Sequence, residues 1–415
     1  MKRVSFVNLS RMCFYAFFLF LPFQVKTLLF SPEYFGSGFF SPYLSQFLYL
    51  GDLFLLIGFL FMGFAFVLGK KVEAMVRFRD PVFLLLLGLF FVTVFLPWNG
   101  LLYLLRFVEW GALLLLLNSG FLKIVRIFEV LLFGICVSAV IGIFQFVLGG
   151  SLGFGFLGEP LISGSMLGVS KVSLFGDSVL RAYGTFPHPN VLAVYCVFGI
   201  FLALYLWKGA RLIYTAVLVL LSVALLLTFS RSALIGGVSA GVFVYALGGV
   251  KIKFKYLLLA LVSVLFFIVV FDLQDFFVGR LLLMDSENVL ERELFHKIAF
   301  AMIFDNWNGV GLGNFTAQMQ NYTDIELLPW NFQPVHNLYL LIFAEGGVLM
   351  GLSFCALLLW SFWDIVKNKN SKSFKALLLA FWALIFVVGF FDHYLLTLYQ
   401  GQALLWTFFG LRSKI

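Results

Sequence analysis

Four histidines are present in this 415-residue sequence, and His336 is the one best suited to acid–base chemistry. It directly precedes a long apolar segment. An imidazole titrates close to neutral pH, so a histidine at the entrance of a helix suits a general base. His188 lies between two prolines, a pattern typical of a helix start, so we interpret it as structural. His296 and His393 are the other two, and we place all four on the same side of the molecule.

Three arginines form the second group of candidates. Arg231 lies in a very short turn between two apolar segments, where a charge near the hydrocarbon costs about 2.5–3.5 kcal/mol on insertion scales. A residue this costly is a functional candidate, and its planar guanidinium matches the oxygens of a phosphate. Arg181 lies at the mouth of another apolar segment, and Arg292 lies on a predicted amphipathic helix. We predict phosphate binding for all three, with snorkelling to lipid headgroups or a structural ion pair as the alternatives.

Three further patterns carry less chemistry. Asp285 and Glu287 resemble an acidic metal-binding pair, but no ligand spacing such as HExxH occurs, so we expect no catalytic metal and no cofactor. The glycine-rich residues 309–314 look like a nucleotide loop but follow no strand of a βαβ unit, so we expect a turn. Glu345 lies nine residues after His336, about 180° around an α-helix, so we expect it to bond a neighbouring helix.

The composition indicates what must position these side chains. The chain is 62% hydrophobic and only 12% charged, with a mean hydropathy of +1.05, whereas a soluble domain carries roughly 25% charged residues. This excludes a soluble enzyme, a disordered protein and a nucleic-acid-binding module. The sequence therefore predicts a polytopic membrane protein in contact with membrane lipids.

The apolar stretches predict an all-α membrane protein with about twelve transmembrane helices in one domain, residues 1–415. The predicted spans are 12–30, 43–68, 82–96, 101–118, 127–149, 188–207, 212–229, 232–250, 256–271, 337–362, 376–391 and 398–411. Helices are favoured over barrel strands because the stretches are long and uniformly apolar. Two long loops remain on one side, residues 150–187 and 272–336, and residues 290–298 of the second predict an amphipathic helix on the membrane surface.

The charges predict the orientation. Most of the 28 basic residues fall in alternate loops, and membrane proteins concentrate lysine and arginine on the cytoplasmic side. Both termini are then cytoplasmic, and both long loops, with the candidate arginines and histidines, are on the outside. The net charge of +8 is explained in this way without a nucleic-acid partner.

A reaction follows from this placement. ATP is scarce outside the cytoplasm, so group transfer there needs a donor that arrives already activated. A sugar on a lipid diphosphate carries that activation through the membrane. The arginines would stabilise the departing diphosphate in place of a metal, and His336 would take the proton from the acceptor hydroxyl.

Five short motifs occur in a fixed order along the chain. They are Arg181-x-x-Gly184-Thr185-Phe186-x-His188-Pro189-Asn190, Ser230-Arg231-Ser232, Gly309-x-Gly311-x-Gly313-Asn314-Phe315, His336-Asn337-x-Tyr339-Leu340 and Glu345-Gly346. The ordered set resembles the bacterial O-antigen ligase/polymerase family. The resemblance extends over residues 130–400 and is densest between 181 and 351.

The resemblance implies a GT-C-type helical fold and metal-independent, inverting sugar transfer on the periplasmic face of the bacterial inner membrane. The donor would be a glycan on undecaprenyl diphosphate, and the acceptor lipid A–core or a growing glycan. By motif match, His336 is the base, and Arg231, Arg181 and Arg292 bind the diphosphate. The supporting residues are His188, Asn190, Asn337, Tyr339 and Glu345. The Asp392-His393-Tyr394 turn is not part of the pattern.

Several functions remain open from the sequence. An O-antigen ligase is the leading hypothesis; a Wzy-type polymerase or a protein O-oligosaccharyltransferase would use the same donor chemistry with another acceptor. A polysaccharide flippase or transporter is the alternative from a different class, because Arg106 and Glu109 are spaced to pair within the membrane. Against a transporter, the sequence has no repeated halves, and its unusual residues gather outside.

The orientation is testable by cysteine labelling from the outside of the membrane, in a variant whose four native cysteines are replaced by alanine. Gly155→Cys and Asn321→Cys should react with an impermeant reagent because both lie in the predicted outer loops. Arg77→Cys and Lys369→Cys should be protected. The reverse pattern would overturn the orientation.

Overall fold

The computed structural model describes residues 5–31, 41–69, 100–166, 168–174, 177–207, 211–248, 286–328, 331–368 and 371–412. These residues are mostly helical. The helices are α1 (Phe6–Phe20), α2 (Leu50–Val67), α3 (Gly100–Asn118), α4 (Ile124–Leu148), α5 (Pro189–Leu206), α6 (Arg211–Leu227), α7 (Arg231–Leu247), α8 (Ser286–Asp305), α9 (Phe315–Gln318), α10 (Leu338–Lys367), α11 (Lys372–Val388), α12 (Tyr394–Thr397) and α13 (Tyr399–Arg412). The strands are β1 (Lys26–Phe30), β2 (Gln46–Tyr49), β3 (Lys171–Leu174) and β4 (Asp177–Leu180).

The prediction of a mostly helical membrane fold is confirmed. Helices overlap each predicted apolar segment within the described residues, and the predicted spans 82–96 and 256–271 lie outside those residues. By length and composition, α2, α4, α5 and α10 are able to cross a membrane, and α1, α6 and α7 are shorter apolar helices.

Two predicted span boundaries were wrong, and so was the expectation of a fold without strands. The span predicted at 12–30 ends early, because α1 stops at Phe20 and Lys26 already begins β1. Proline lacks the backbone N–H that a helix needs, and Pro22 follows the end of α1 directly. Strand β1 pairs antiparallel with β2, which occupies the start of the span predicted at 43–68. A second hairpin, β3–β4, lies in the first predicted outer loop.

The core surrounds α5. Twelve of its eighteen residues are buried, as expected of a helix that is apolar on all sides and central in a bundle. It packs against α4, α6, α7 and α11. The ring of Phe198 on α5 stacks on that of Phe381 on α11, with centroids 3.8 Å apart. The N-terminus of this rigid helix carries part of the candidate site.

The predicted pairing of Arg106 with Glu109 is confirmed and extended. The Arg106 guanidinium lies 2.5 Å from the Glu109 carboxylate and 2.6 Å from that of Asp52. It also donates a hydrogen bond of 2.7 Å to the carbonyl oxygen of Phe47. A charge away from water needs such compensation. The three side chains therefore join α3 to α2 and β2 as a structural network.

A break in α10 explains the glycine-rich segment. The backbone of Gly347 leaves the helical region, with φ 78° and ψ 176°. At this break the N–H of Val310 donates to the carbonyl of Ala344, and the N–H of Gly311 donates to that of Glu345, each at 2.9 Å. The Glu345 side chain in turn accepts a bond of 3.2 Å from the N–H of Phe315. The segment is a turn that packs on α10, as the sequence predicted.

Gly309→Ala should destabilise the protein by about 1–3 kcal/mol, the typical cost of a non-glycine residue in a sparsely populated backbone region. Gly309 has φ 81°, and an added Cβ would lie 2.3 Å from the carbonyl oxygen of Glu345. Thermal unfolding in detergent measures the effect. The matched control is Gly241→Ala within α7, where an added Cβ meets no atom within 4 Å. Equal melting temperatures for the two variants would contradict this packing.

Candidate active site

The turn that leads from β4 to α5 is fixed on α4. Gly184 adopts the left-handed region with φ 62°, and a Cβ there would lie 2.5 Å from Ser138 Oγ. Gln145 of α4 uses both ends of its amide on this turn. Its Oε1 accepts from the N–H of Gly184 at 2.8 Å, and its Nε2 donates to the Gly184 carbonyl at 2.9 Å. These bonds explain the Gly184-Thr185 part of the motif and set the positions of the residues on either side.

Arg181 lies at the centre of the polar contacts and is only 8% exposed. Its Nε donates to the carbonyl of Thr228 at 2.6 Å, its Nη2 to Asn190 Oδ1 at 2.8 Å and its Nη1 to Ser170 Oγ at 3.3 Å. One guanidinium therefore joins the outer hairpin, the turn before α7 and the start of α5. This positive charge is held in place by protein acceptors.

Asp392, in the turn after α11, connects this group to His336. Its Oδ2 accepts a bond of 3.0 Å from Asn190 Nδ2, and its Oδ1 accepts one of 3.0 Å from the N–H of His393. His336 Nδ1 lies 3.6 Å from Asp392 Oδ1, a charge contact that is too long for a hydrogen bond. The sequence motifs did not include Asp392; its only local sign was an Asp-His pair at a predicted outer turn.

The pKa shifts of Asp392, His393 and His188 show which of these side chains are charged at neutral pH. Burial acts to raise the pKa of Asp392, but the nearby His336, His393 and His188 outweigh it and hold that pKa below its usual value. Burial lowers the pKa of His393 to about 3. Burial and then the Arg181 charge lower the pKa of His188 to about 4. At neutral pH, Asp392 is therefore an anion beside two neutral imidazoles.

His188 is structural, as predicted. It is the N-cap of α5, and its Nδ1 accepts a bond of 3.2 Å from the N–H of Asn190. Its Nε2 lies 3.1 Å from Ser170 Oγ. A neutral imidazole that accepts at Nδ1 donates at Nε2, so both ring nitrogens have partners within the protein.

Three predicted supporting residues shape α10. Asn337 is the N-cap of α10, and its Oδ1 accepts from the N–H of Leu340 at 3.0 Å. The Tyr339 hydroxyl donates to the carbonyl of Phe386 at 2.7 Å. Glu345 accepts from the N–H of Phe315, the first residue of the short helix α9, so the expected bond to a neighbouring helix is present. These residues set the course of the chain on both sides of His336.

The other two predicted arginines are exposed. Arg231 is the first residue of α7, whose N-cap Ser230 follows Phe229 in a left-handed conformation with φ 49°. Arg292 lies on α8. Burial and then the charges of Arg292 and His336 lower the pKa of His296. A helix is thus present at the predicted segment 290–298, whereas its position on the membrane surface stays a prediction.

His336, Asp392 and His393 also form a possible ligand set for a metal. Their ligating atoms lie within 4.8 Å of one another. His393 Nδ1 lies 2.7 Å from Thr397 Oγ1, a contact that orients the ring in the way a supporting residue orients a metal-bound histidine. Two imidazoles and a carboxylate suit Zn²⁺ or a similar divalent ion. The absence of a metal stays a prediction.

The cluster opens onto a cavity of about 510 Å³, within the usual range for a small-molecule site. His336, Asp392 and His393 line one part of it. Its other lining residues include Lys26, Arg106, Tyr43, Phe47, Tyr49, Trp110, Tyr399 and Trp406. Among the described residues that line it, Arg181, Arg231 and Arg292 do not appear.

Comparison with known proteins now bears on the predicted family. Residues 216–355 match a family model described as O-antigen ligase. The match contains Arg231, Arg292 and His336, while Asn190 and Asp392 lie outside it. No curated protein matches the chain. The predicted resemblance is therefore confirmed: residues 216–355 are similar to the O-antigen ligase family.

Proposed function

We propose that this protein is a glycosyltransferase that moves a glycan from undecaprenyl diphosphate to an acceptor hydroxyl on the periplasmic face of the bacterial inner membrane. Its reaction is O-antigen ligation, with lipid A–core as the acceptor. The observation that carries this proposal is the meeting of His336 with the buried carboxylate of Asp392 at the edge of a cavity. His336 lies within the O-antigen ligase match.

The chemistry needs a base that can hold a proton briefly. His336 Nδ1 faces Asp392 Oδ1 at 3.6 Å, a separation that can shorten when substrate binds. With its Nδ1–H directed at the carboxylate, the imidazole presents Nε2 to the acceptor hydroxyl. The acceptor oxygen then bonds to the anomeric carbon, the bond from that carbon to the diphosphate oxygen breaks, and the proton passes to Nε2. Asp392 stabilises the imidazolium that forms, as the carboxylate of a catalytic triad does.

The leaving diphosphate needs positive charge on the opposite side of the reacting carbon. Arg231 supplies it at the N-terminus of α7, where the helix dipole also favours an anion. Arg292 supplies it from α8, and Arg181 adds a buried positive charge behind the turn before α7. Fixed cations of this kind stabilise charge that develops in the transition state, so the proposed reaction uses no metal.

The alternatives differ in acceptor or in class. A Wzy-type polymerase would use the same donor groups and base, with a growing glycan as acceptor. A flippase or transporter would need mobile charges along a path through the membrane. The intramembrane Arg106 is instead fixed by two carboxylates and a carbonyl, which favours a structural function for that charge.

His336→Ala should lower glycan transfer by roughly 10²–10⁴-fold, the usual contribution of a positioned base. The assay uses purified protein in vesicles with undecaprenyl diphosphate-linked glycan and, separately, lipid A–core or unextended glycan as acceptor. His296→Ala is the matched control, since it changes another histidine, one that interacts electrostatically with His336 and that the mechanism does not use. Full activity of His336→Ala would remove this residue as the base.

The same vesicles separate a base from a metal ligand. A chelator should leave the transfer rate of the wild-type protein unchanged. Loss of activity in chelator that Zn²⁺ restores would contradict the metal-free reaction and make His336 a ligand. Movement of glycan lipid across the membrane without transfer would favour the flippase.

Asp392→Asn should reduce kcat by roughly 10- to 100-fold, since hydrogen bonds to charged groups contribute about 1.5–3 kcal/mol. Asparagine keeps the shape of the side chain but cannot compensate the imidazolium. The matched control is Asp364→Asn, which removes a carboxylate that pairs with Arg412 far from the site. Equal activity of the two variants would show that the Asp392 charge does not serve the base.

A further inference from the structure

Lys26 is a charged residue of the cavity that the proposed reaction does not use. It is the first residue of β1 and lies opposite Tyr49 of β2. Its Nζ lies 4.0 Å from the centre of the Phe47 ring and 5.9 Å from that of Tyr49. The hairpin therefore holds the ammonium group against the aromatic wall of the cavity onto which His336 opens.

Among the described residues, Lys26 has no carboxylate partner, whereas the neighbouring Arg106 has two. Arg106 lines the same cavity, but Asp52 and Glu109 neutralise it. Within the part of the chain that the structure describes, no carboxylate forms an ion pair with Lys26. Burial lowers the pKa of Lys26 to about 8, so the side chain is still mainly charged at neutral pH. An exposed ammonium group that lies against two aromatic rings, with no carboxylate partner among the described residues, favours an anionic ligand.

The cavity is on the acceptor side of the proposed reaction. A general base must contact the hydroxyl from which it takes the proton, and His336 lines this cavity. The proposed diphosphate-binding residues Arg181, Arg231 and Arg292 are absent from the described lining.

The walls fit a carbohydrate. Trp110, Tyr399 and Trp406 line part of the cavity, although each is at most 8% exposed, and aromatic rings pack well on the apolar faces of sugars. A volume of about 510 Å³ accommodates a short oligosaccharide segment rather than a polymer.

We propose that this cavity binds the acceptor glycan and that Lys26 recognises an anionic substituent, a phosphate or a carboxylate, on one of its sugars. The proposal rests on the proposed transferase function for the identity of the ligand as an acceptor. Lys26 is then a specificity-determining residue: it selects charged over neutral acceptors and does not take part in bond formation.

Binding without donor tests this proposal independently of transfer. The probes are a synthetic disaccharide lipid that carries one phosphate, the same compound after phosphatase treatment, and a disaccharide lipid that carries a uronic acid. Affinities are measured by titration of purified protein in nanodiscs for the wild type, Lys26→Gln and Lys26→Arg. Lys171→Gln is the matched control because Lys171, on β3, does not line the cavity.

The wild type should bind the phosphorylated probe roughly 10- to 100-fold more tightly than the neutral one, as a charge-assisted hydrogen bond predicts. Lys26→Gln should abolish this ratio, whereas Lys26→Arg and Lys171→Gln should keep it. Tight binding of the uronic acid probe would extend the recognised group to carboxylates; its failure would restrict it to phosphate.

Two results would overturn the inference: no preference in the wild type, or an unchanged preference in Lys26→Gln. Thermal unfolding checks that Lys26→Gln is folded, and Lys26→Arg preserves the charge if glutamine disturbs the hairpin. Failure of the proposed function is distinguishable, since the charged probe would then bind with the expected Lys26 dependence although no glycan is transferred to any acceptor.

Discussion

The candidate site depends on the compensation of one buried carboxylate. Asp392 is only 5% exposed, and a charge in that position is tolerated only with close partners. Asn190 and the backbone of His393 bond its two oxygens, His336 lies beside it, and Arg181 bonds Asn190 from behind. Segments from the starts of α5 and α10 and the turn after α11 are thereby brought to one point. The contacts that stabilise the buried charge of Asp392 therefore also fix the position of His336, the proposed base.

Backbone hydrogen bonding provides the frame around that point. In a membrane, a backbone group without a partner is costly, so breaks in helices persist only where other segments satisfy them. The break at Gly347 meets this condition because the glycine-rich turn bonds the carbonyls on the N-terminal side of it. Gln145 does the same for the turn at Gly184. Many of the short motifs therefore fix the packing of the backbone, and this packing positions the few side chains that could take part in the reaction.

The sequence predicts local features well. Apolar segments become helices, His188 begins one of them, and Arg106 pairs with Glu109 as spacing suggests. Contacts between distant segments were not predictable: Asn190 and Asp392 are 202 positions apart, and neither shows its partner in its own surroundings. The hairpin at Lys26 was missed because its strands are as apolar as the spans beside them. Local composition sets burial, but only tertiary packing decides which polar groups meet.

The cationic side chains near the proposed site form two separate groups. Arg231, at the start of α7, and Arg292, within α8, are both exposed, and we propose that the donor diphosphate binds to them. Lys26, in contrast, faces the cavity without a carboxylate partner among the described residues. His336 lines the same cavity, with Asp392 next to it. In the proposed reaction, the hydroxyl would enter from the cavity and the diphosphate would leave toward the arginines, on opposite sides of the reacting carbon. An in-line, inverting displacement requires that arrangement, so the proposal links the stereochemistry to the positions of these cations.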